Sequence, residues 1–421
     1  MLDIKRIIDD KANVRKALLK RMDPDKLDLD KLIEVYNARK QAQQEFEKLR
    51  SEQNAFNQEM AKLQKGSPEF KEHITKLKEL AAAVKEAEAK ANELTEQFNE
   101  LMSALPNIPD DDVVAGEKEA NEDLRFWGEK PQFDFEIKDH LELGESLGLI
   151  DLAAAAKIGG AQMPMYKGDG ARLEWALIQF FIDQHYADGY EMILPPHLLT
   201  EQTGYAAGQL PKFRDDVYWT QDNTFLLPTA ETALAGLFMN ETLDEKDLPY
   251  KAFAYTPCYR REAGGYRANE RGLLRMHQFN KVEMFQFTTP EQSDAAFEEL
   301  VAKAEDLMQK LGLYHKVVKL AAGDCSAGAA RTYDVEVYLP YLDRFQEVSS
   351  VSNVRDYQAR RANTRYKPAD GGKPQYIHTL NGSGLATSRL MVGLLEQYQN
   401  ADGTITVPEV LRPYMGKDKI G

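Results

Sequence analysis

Cysteine is almost absent: the 421 residues include only Cys258 and Cys325. That excludes a disulfide framework and leads us to expect a reducing, cytoplasmic setting. No stretch approaches the roughly 18 uncharged apolar residues of a membrane span. Met1–Asp10 lacks the apolar core of a secretory signal, so none is expected. The seven histidines fall into no HExxH pattern and the cysteines into no CxxC, so no zinc site is expected. The phosphate-cradling Walker loop and the dinucleotide GxGxxG are also missing. Hydrophobic residues at 43% and charged residues at 29% describe a globular chain rather than a disordered one.

The net charge is -15. Residues 1–105 hold 20 Lys+Arg and 20 Asp+Glu, so the excess of acid lies wholly beyond them. An acidic body repels phosphate backbones, and a nucleic-acid partner would need local basic patches.

From Val35 the seam positions step by four and three: Val35, Arg39, Ala42, Phe46, Leu49, Gln53, Phe56, Met60, Leu63. Lys65-Gly-Ser-Pro-Glu69 then interrupts the helix, with Ser67 placed to cap the next one and Pro68 at its first position. A second seam follows through Leu77, Leu80, Val84, Ala87, Ala91, Leu94, Phe98, Leu101 and Leu105. The pattern predicts an antiparallel helical hairpin, each helix of about 38 residues and roughly 57 Å. Its own residues leave two roles open, a dimerisation coiled coil or a lever reaching a distant part of a large ligand. Short helices are expected over residues 2–21. The Pro- and Asp-rich stretch after Leu105 reads as a linker. The expected organisation is 1–104, a linker 105–125, and a body 126–421.

In the body, β-branched and aromatic runs at 251–260, 278–287, 332–338, 345–351 and 375–380 do not alternate with helices of βαβ size. They predict an α+β fold with a largely antiparallel sheet flanked by helices. In Cys258-Tyr-Arg-Arg-Glu262, alternation would place Arg260 and Glu262 on one face. That pairing suits a ligand with a phosphate and an exocyclic amine, such as ATP, or else an ion pair on a wet sheet. In the next strand His277, Phe279, Lys281, Glu283 and Phe285 share a face. Lys and Glu among aromatics point to a polar site there. The connection 263–276 carries three arginines and three glycines, which suits phosphate handling.

Tyr259-Arg-Arg-Glu262 resembles motif 2 of the class II aminoacyl-tRNA synthetases. Arg275-Met-His-Gln-Phe279 followed by Lys281-Val-Glu283 is similar to the seryl-tRNA synthetase version. Pro228-Thr-Ala-Glu231 resembles that family's serine-site loop. Glu347-Val-Ser-Ser350 with Asn353 and Asp356–Arg361 resembles a further block. Leu380–Ala386 with Arg389 resembles motif 3, and 173–195 resembles the dimer-forming motif 1. Three departures stand out: Arg267-Ala-Asn-Glu-Arg-Gly272 shifts one arginine of the motif 2 loop, Val351 replaces a usual cysteine, and Leu141 replaces a usual tryptophan.

The resemblance spans essentially the whole chain and implies the class II antiparallel sheet, a homodimer through 171–196, and an arm that binds tRNA-Ser. It implies a serine–tRNA ligase that makes seryl-adenylate from L-serine and ATP with Mg²⁺ and esterifies tRNA-Ser, and tRNA-Sec where one exists. By the same resemblance Arg260 and Arg389 are catalytic. Thr229, Ala230, Glu231, Arg260, Glu283, Asn381 and Ser383 bind serine. Arg260, Arg261, Glu262, Arg271, Phe279, Glu347, Val348, Ser349, Ser350 and Arg389 bind ATP, with Phe279 and Arg389 on the two faces of adenine. Glu347 and Ser350 hold Mg²⁺. Strict alternation would put those two on opposite faces, so this assignment requires a bulge near Val348.

Overall fold

The structure, a computed structural model, describes residues 1–262 and 271–421. It divides into two compact units, Leu2–Pro106 and Asn107–Gly421 with Met1.

In the first unit, α1 (Ile4–Asp9) and α2 (Lys11–Leu18) precede two long helices, α3 (Leu29–Met60) and α4 (Pro68–Ala104). At 32 residues α3 is shorter than expected, because the chain turns before Gly66, which takes φ +90°. Ser67 caps α4 by accepting from the Phe70 N–H, with Pro68 in the first turn. The helices pack along the two seams, whose residues are half-buried between exposed neighbours. Full burial is confined to the end holding Leu29, Leu32, Ala91, Phe98 and Met102. Arg39 is tolerated in the seam because its guanidinium lies 4.5 Å from the Phe98 ring centre.

The second unit is built on an eight-stranded sheet. Its strands are β1 (Glu122–Trp127), β2 (Glu191–Met192), β3 (Tyr250–Tyr259), β4 (Gln278–Thr288), β5 (His315–Lys319), β6 (Arg331–Leu339), β7 (Arg344–Arg355) and β8 (His378–Ala386). The order is β1-β5-β6-β7-β8-β4-β3-β2, antiparallel except for the pairing of β2 with β3. Helices α5 (Asp169–Ala187), α6 (Ser293–Lys310) and α7 (Thr387–Gln397) cover one face. Leu177 and Phe181, Phe297 and Leu300, and Leu390 and Leu394 there meet Val282, Met284, Val335 and Val351.

The unit starts earlier than expected. The stretch after Asn107 lies along the sheet rather than apart from it: Asn107 N–H donates to Ala327 O at 2.7 Å and Asp110 N–H to Ala330 O at 2.9 Å. Its aspartates meet cations, Asp110 with Arg355 at 2.7 Å and Asp112 with Arg331 at 2.6 Å. Strand β1 crosses residue 126, where the body was expected to begin.

Candidate active site

Register decides what faces what. On β4 the even positions Val282 and Met284 enter the helix-covered core. The odd positions Phe279, Lys281, Glu283 and Phe285 therefore occupy the opposite face, as the sequence pattern predicts. Cross-strand partners share a face, so Thr256 and Cys258 stand beside Lys281 and Phe279, and Ser383 and Asn381 beside Glu283 and Phe285. Asn381 pairs onward with Ser352 of β7, and Ser350 with Asp334 of β6. One side of one sheet thus carries nearly all of the candidate residues.

The centre of this face is charged yet buried. Lys281 is 6% exposed, Glu283 is 1% exposed, and the two form an ion pair. Ser383 lies in β8, so its hydroxyl caps no helix. It donates to Glu283 Oε2 at 3.4 Å. Above them Thr229 caps the helix Ala230–Ala235, accepting from the Glu231 N–H at 3.2 Å. This cap turns Glu231 toward the pocket. Burial first, and then the Glu283 charge, push the Glu231 carboxyl up to about 7, against the pull of Lys281, Gln358 and Arg260. Ala230 itself is fully buried and has only backbone to offer a ligand.

Arg260 extends the β3 ladder, its N–H donating to His277 O at 2.9 Å. Its Nε donates to Pro228 O at 3.2 Å, and its guanidinium lies 5.1 Å from the Phe279 ring centre. Arg260 reaches Phe279 because position 260 is its diagonal neighbour across the ladder. Arg389, in the first turn of α7, donates from Nη1 to Glu347 Oε2 at 3.2 Å and from Nε to Leu274 O at 3.1 Å. The expected shared face for Arg260 and Glu262 does not form. Strand β3 stops at Tyr259, Glu262 takes φ +51°, and its Oε2 pairs with Arg275 at 2.5 Å. Arg261 and Arg271 are exposed. Residues 263–270, including Arg267 of the motif 2 loop, lie outside the described residues.

The bulge required near Val348 is present: Ser349 pairs with Val335 and Glu347 with Glu336, leaving Val348 as the extra residue. Glu347 and Ser350 consequently share the site face with Asp334. Val348 and Ser349 do not present side chains there. Val348 is in the core, and Ser349 Oγ donates to Ser383 O at 2.6 Å, so both can serve ATP only through backbone. No cluster of three or more His, Cys, Asp or Glu suited to a metal occurs among the described residues. Magnesium held by one carboxylate, one hydroxyl and the ligand's phosphates does not need one. The donors fit a hard cation: Asp334 Oδ1 is buried without a hydrogen-bond partner, and burial and the Glu347 charge push the Asp334 carboxyl well up.

With this geometry in view, comparison with known proteins is decisive. A model of the seryl-tRNA synthetase N-terminal domain matches residues 1–109, and one of the class II tRNA synthetase core domain (G, H, P, S and T) matches 214–398. Serine–tRNA ligase 2 of Clostridium acetobutylicum is 48% identical over 427 residues, covering 100% of both chains. The chain belongs to the seryl-tRNA synthetase family. The serine–tRNA ligase of Petrotoga mobilis is 46% identical over 100% of both chains. Among solved structures, seryl-tRNA synthetase from Pyrococcus horikoshii complexed with ATP superposes with TM-score 0.89 at 34% identity, covering 100% of this chain and 99% of that one. The sheet is accordingly that of a class II synthetase, and the chain is an aminoacyl-tRNA ligase by family.

Two residues of the pocket were not among the sequence-derived site residues. Lys281 was placed on the right face, but only the structure shows it paired with Glu283. Gln358 lies 127 residues from Glu231 and donates to it at 2.8 Å, a contact no local pattern announces. Of the three departures from the family pattern, Val351 is core and Leu141 lines the turn at Gly272, so these two are packing positions.

Proposed function

We propose that this chain is a serine–tRNA ligase that activates L-serine with ATP and esterifies the 3′ end of tRNA-Ser, with tRNA-Sec a further substrate where one exists. The observation that carries it is the convergence of Arg260, Phe279, Glu283, Ser383 and Glu347 on one face of one sheet. In the first step a serine carboxylate oxygen attacks the α-phosphorus of ATP, the new P–O bond forms, and pyrophosphate leaves. In the second, the terminal ribose hydroxyl attacks the acyl carbon and AMP leaves.

Such chemistry needs alignment and charge neutralisation more than proton transfer. Arg260, with Nε spent on Pro228 O, turns its remaining nitrogens to the serine carboxylate and α-phosphate. Phe279 stacks on adenine, and Glu262, its Oε2 held by Arg275, accepts the adenine amine with its other oxygen. Arg389 and Arg271 meet the outer phosphates. Glu347 and Ser350 would hold Mg²⁺, which supplies charge neutralisation on the phosphates when bound. Glu231, Glu283, Thr229, Asn381 and Ser383 read the amino acid. Their buried polar groups go unpaired with alanine, which a hydroxyl-reading site rejects by as much as about 10⁴–10⁵ in favourable cases.

Residues 1–104 form the tRNA-binding domain in this reading, and the enzyme is a cytoplasmic homodimer through the motif 1 region. Trp175, Tyr186 and Leu194 are exposed there, which supports a partner surface. No described helix is long and apolar enough to cross a membrane.

The direct test is acylation of total tRNA with labelled serine, ATP and Mg²⁺. Label on tRNA-Ser is the expected product, and acylation with another amino acid but not serine contradicts the reading. Glu283→Gln is expected to raise the serine KM by about 10²-fold, the value of a lost charged hydrogen bond, with the ATP KM within about twofold. Glu283→Ala additionally strands buried Lys281, at a cost of about 3–5 kcal/mol, and lowers Tm.

The Glu231 carboxyl, pushed up to about 7, gives a pH signature. Below that value it is largely neutral, and the serine ammonium favours the ionised form. Serine affinity should therefore rise with pH, by at most about tenfold per unit, and level off above neutrality. A serine KM flat from pH 6 to 8 would contradict this, read against an unchanged ATP KM.

A further inference from the structure

Gln358 lies in the short helix Tyr357–Ala362, 1% exposed, and has been given no role above in serine, ATP or metal binding. Its side-chain Nε2 donates to Glu231 Oε1 at 2.8 Å and to the backbone oxygen of Ala207 at 3.0 Å. Its Oε1 accepts from Thr379 Oγ1 at 2.6 Å. Both amide hydrogens and the carbonyl are in use, and only one orientation of the amide serves all three partners. Turned over, the carbonyl would face two acceptors. The two acceptors select that orientation, and Thr379, which donates to the carbonyl so placed, stands on β8 two residues before Asn381 and four before Ser383.

We propose that Gln358 is a positioning residue for amino-acid selection: it holds Glu231 in register with the strand that carries Asn381 and Ser383. This rests on the serine reading of the pocket. Glu231 is half-buried, and Gln358 donates a hydrogen bond to its carboxylate. With Oε1 fixed by the amide, Oε2 is the oxygen presented to the amino acid.

The charges explain why an amide stands here. Glu231 feels the charges of Glu283, Lys281 and Arg260, and Lys281 is paired with Glu283. A glutamate at 358 would add a third anion against Glu231. An apolar residue would strand the Thr379 hydroxyl, the Ala207 carbonyl and one Glu231 oxygen. A neutral residue with two donors and one acceptor satisfies all of them. The link also couples the serine-site loop at 229–231 to β8, two segments that approach the amino acid from different sides.

The test uses the full-length protein with Gln358→Met, which keeps the volume and removes the hydrogen bonds, and Thr379→Val, which removes only the hydrogen bond that ties the amide to β8. ATP–pyrophosphate exchange is measured with serine, alanine and threonine. Gln358→Met should raise the serine KM about tenfold or more, leave the ATP KM within about twofold, and lower the serine-over-alanine preference. Thr379→Val should move the same constants in the same direction by less, and the double variant should be no worse than Gln358→Met alone. An unchanged serine KM in either folded variant, a parallel rise in the ATP KM, or fully additive effects would overturn the proposal. If Gln358→Met does not fold, Thr379→Val decides it alone. A wild-type protein without serine-dependent exchange would instead overturn the serine reading on which it rests.

Discussion

Replacing Arg260 by alanine is expected to reduce kcat/KM for adenylate formation by about 10³-fold, the upper range for losing a donor that meets developing charge. The expectation comes from how the side chain is held. Its backbone continues the β3–β4 ladder, its Nε is tied to Pro228 O, and its plane lies against Phe279. Pro228 opens the loop that carries Thr229 and Glu231, so one anchor fixes the arginine relative to both the amino acid and adenine. A guanidinium restrained in this way loses little entropy when it grips an oxyanion. Arg260→Lys keeps the charge and loses the planar fork, so a loss of about 10²-fold should remain. Pre-steady-state adenylate formation measures both variants. A loss below tenfold for Arg260→Ala would contradict its role at the α-phosphate.

Excision of residues 45–88, with the cut helices rejoined by a short glycine turn, should leave serine-dependent adenylate formation within about twofold. The same change should reduce tRNA-Ser charging by about 10³-fold, equivalent to about 4 kcal/mol of lost binding. The deletion removes the part of the hairpin that is only half-buried and keeps the buried end at Leu29, Leu32, Phe98 and Met102. Folding of the remainder is therefore not at stake. The N-terminal unit has the charge balance for this role, since the 20 basic and 20 acidic residues of 1–105 do not impose the body's negative field on a phosphate backbone. Charging at the wild-type rate by the shortened protein would refute the lever role and favour a purely structural coiled coil.

The parts of this molecule legible from sequence are those governed by local periodicity. The two seams, the Ser67 cap with Pro68, and the shared face of Phe279, Lys281 and Glu283 follow from periods of 3.5 and 2. The bulge at Val348 was demanded by chemistry, since Glu347 and Ser350 could serve one cation only if alternation broke between them, and the register of β6 and β7 breaks there.

Periodicity failed where elements end. Alternation placed Glu262 beside Arg260, but β3 stops at Tyr259 and a left-handed residue redirects the chain toward Arg275. The Asp-rich stretch after Leu105 looked like a spacer because its partners, Arg331 and Arg355, lie more than two hundred residues away. The role of Gln358 is invisible to periodicity for the same reason. A buried amide is defined by what surrounds it, and Glu231, Ala207 and Thr379 come from three distant segments. The residue roles come from the family resemblance, which no pattern could supply, and the register puts most of those side chains on one face.

The central claim is that this one sheet face selects serine and joins it to AMP. It is tested most directly by ATP–pyrophosphate exchange with each of the twenty amino acids in turn, with and without Mg²⁺. The account predicts exchange with serine that requires Mg²⁺ and falls near background for alanine and threonine. Exchange that is absent for every amino acid in a folded preparation, or equal for serine and threonine, would contradict it.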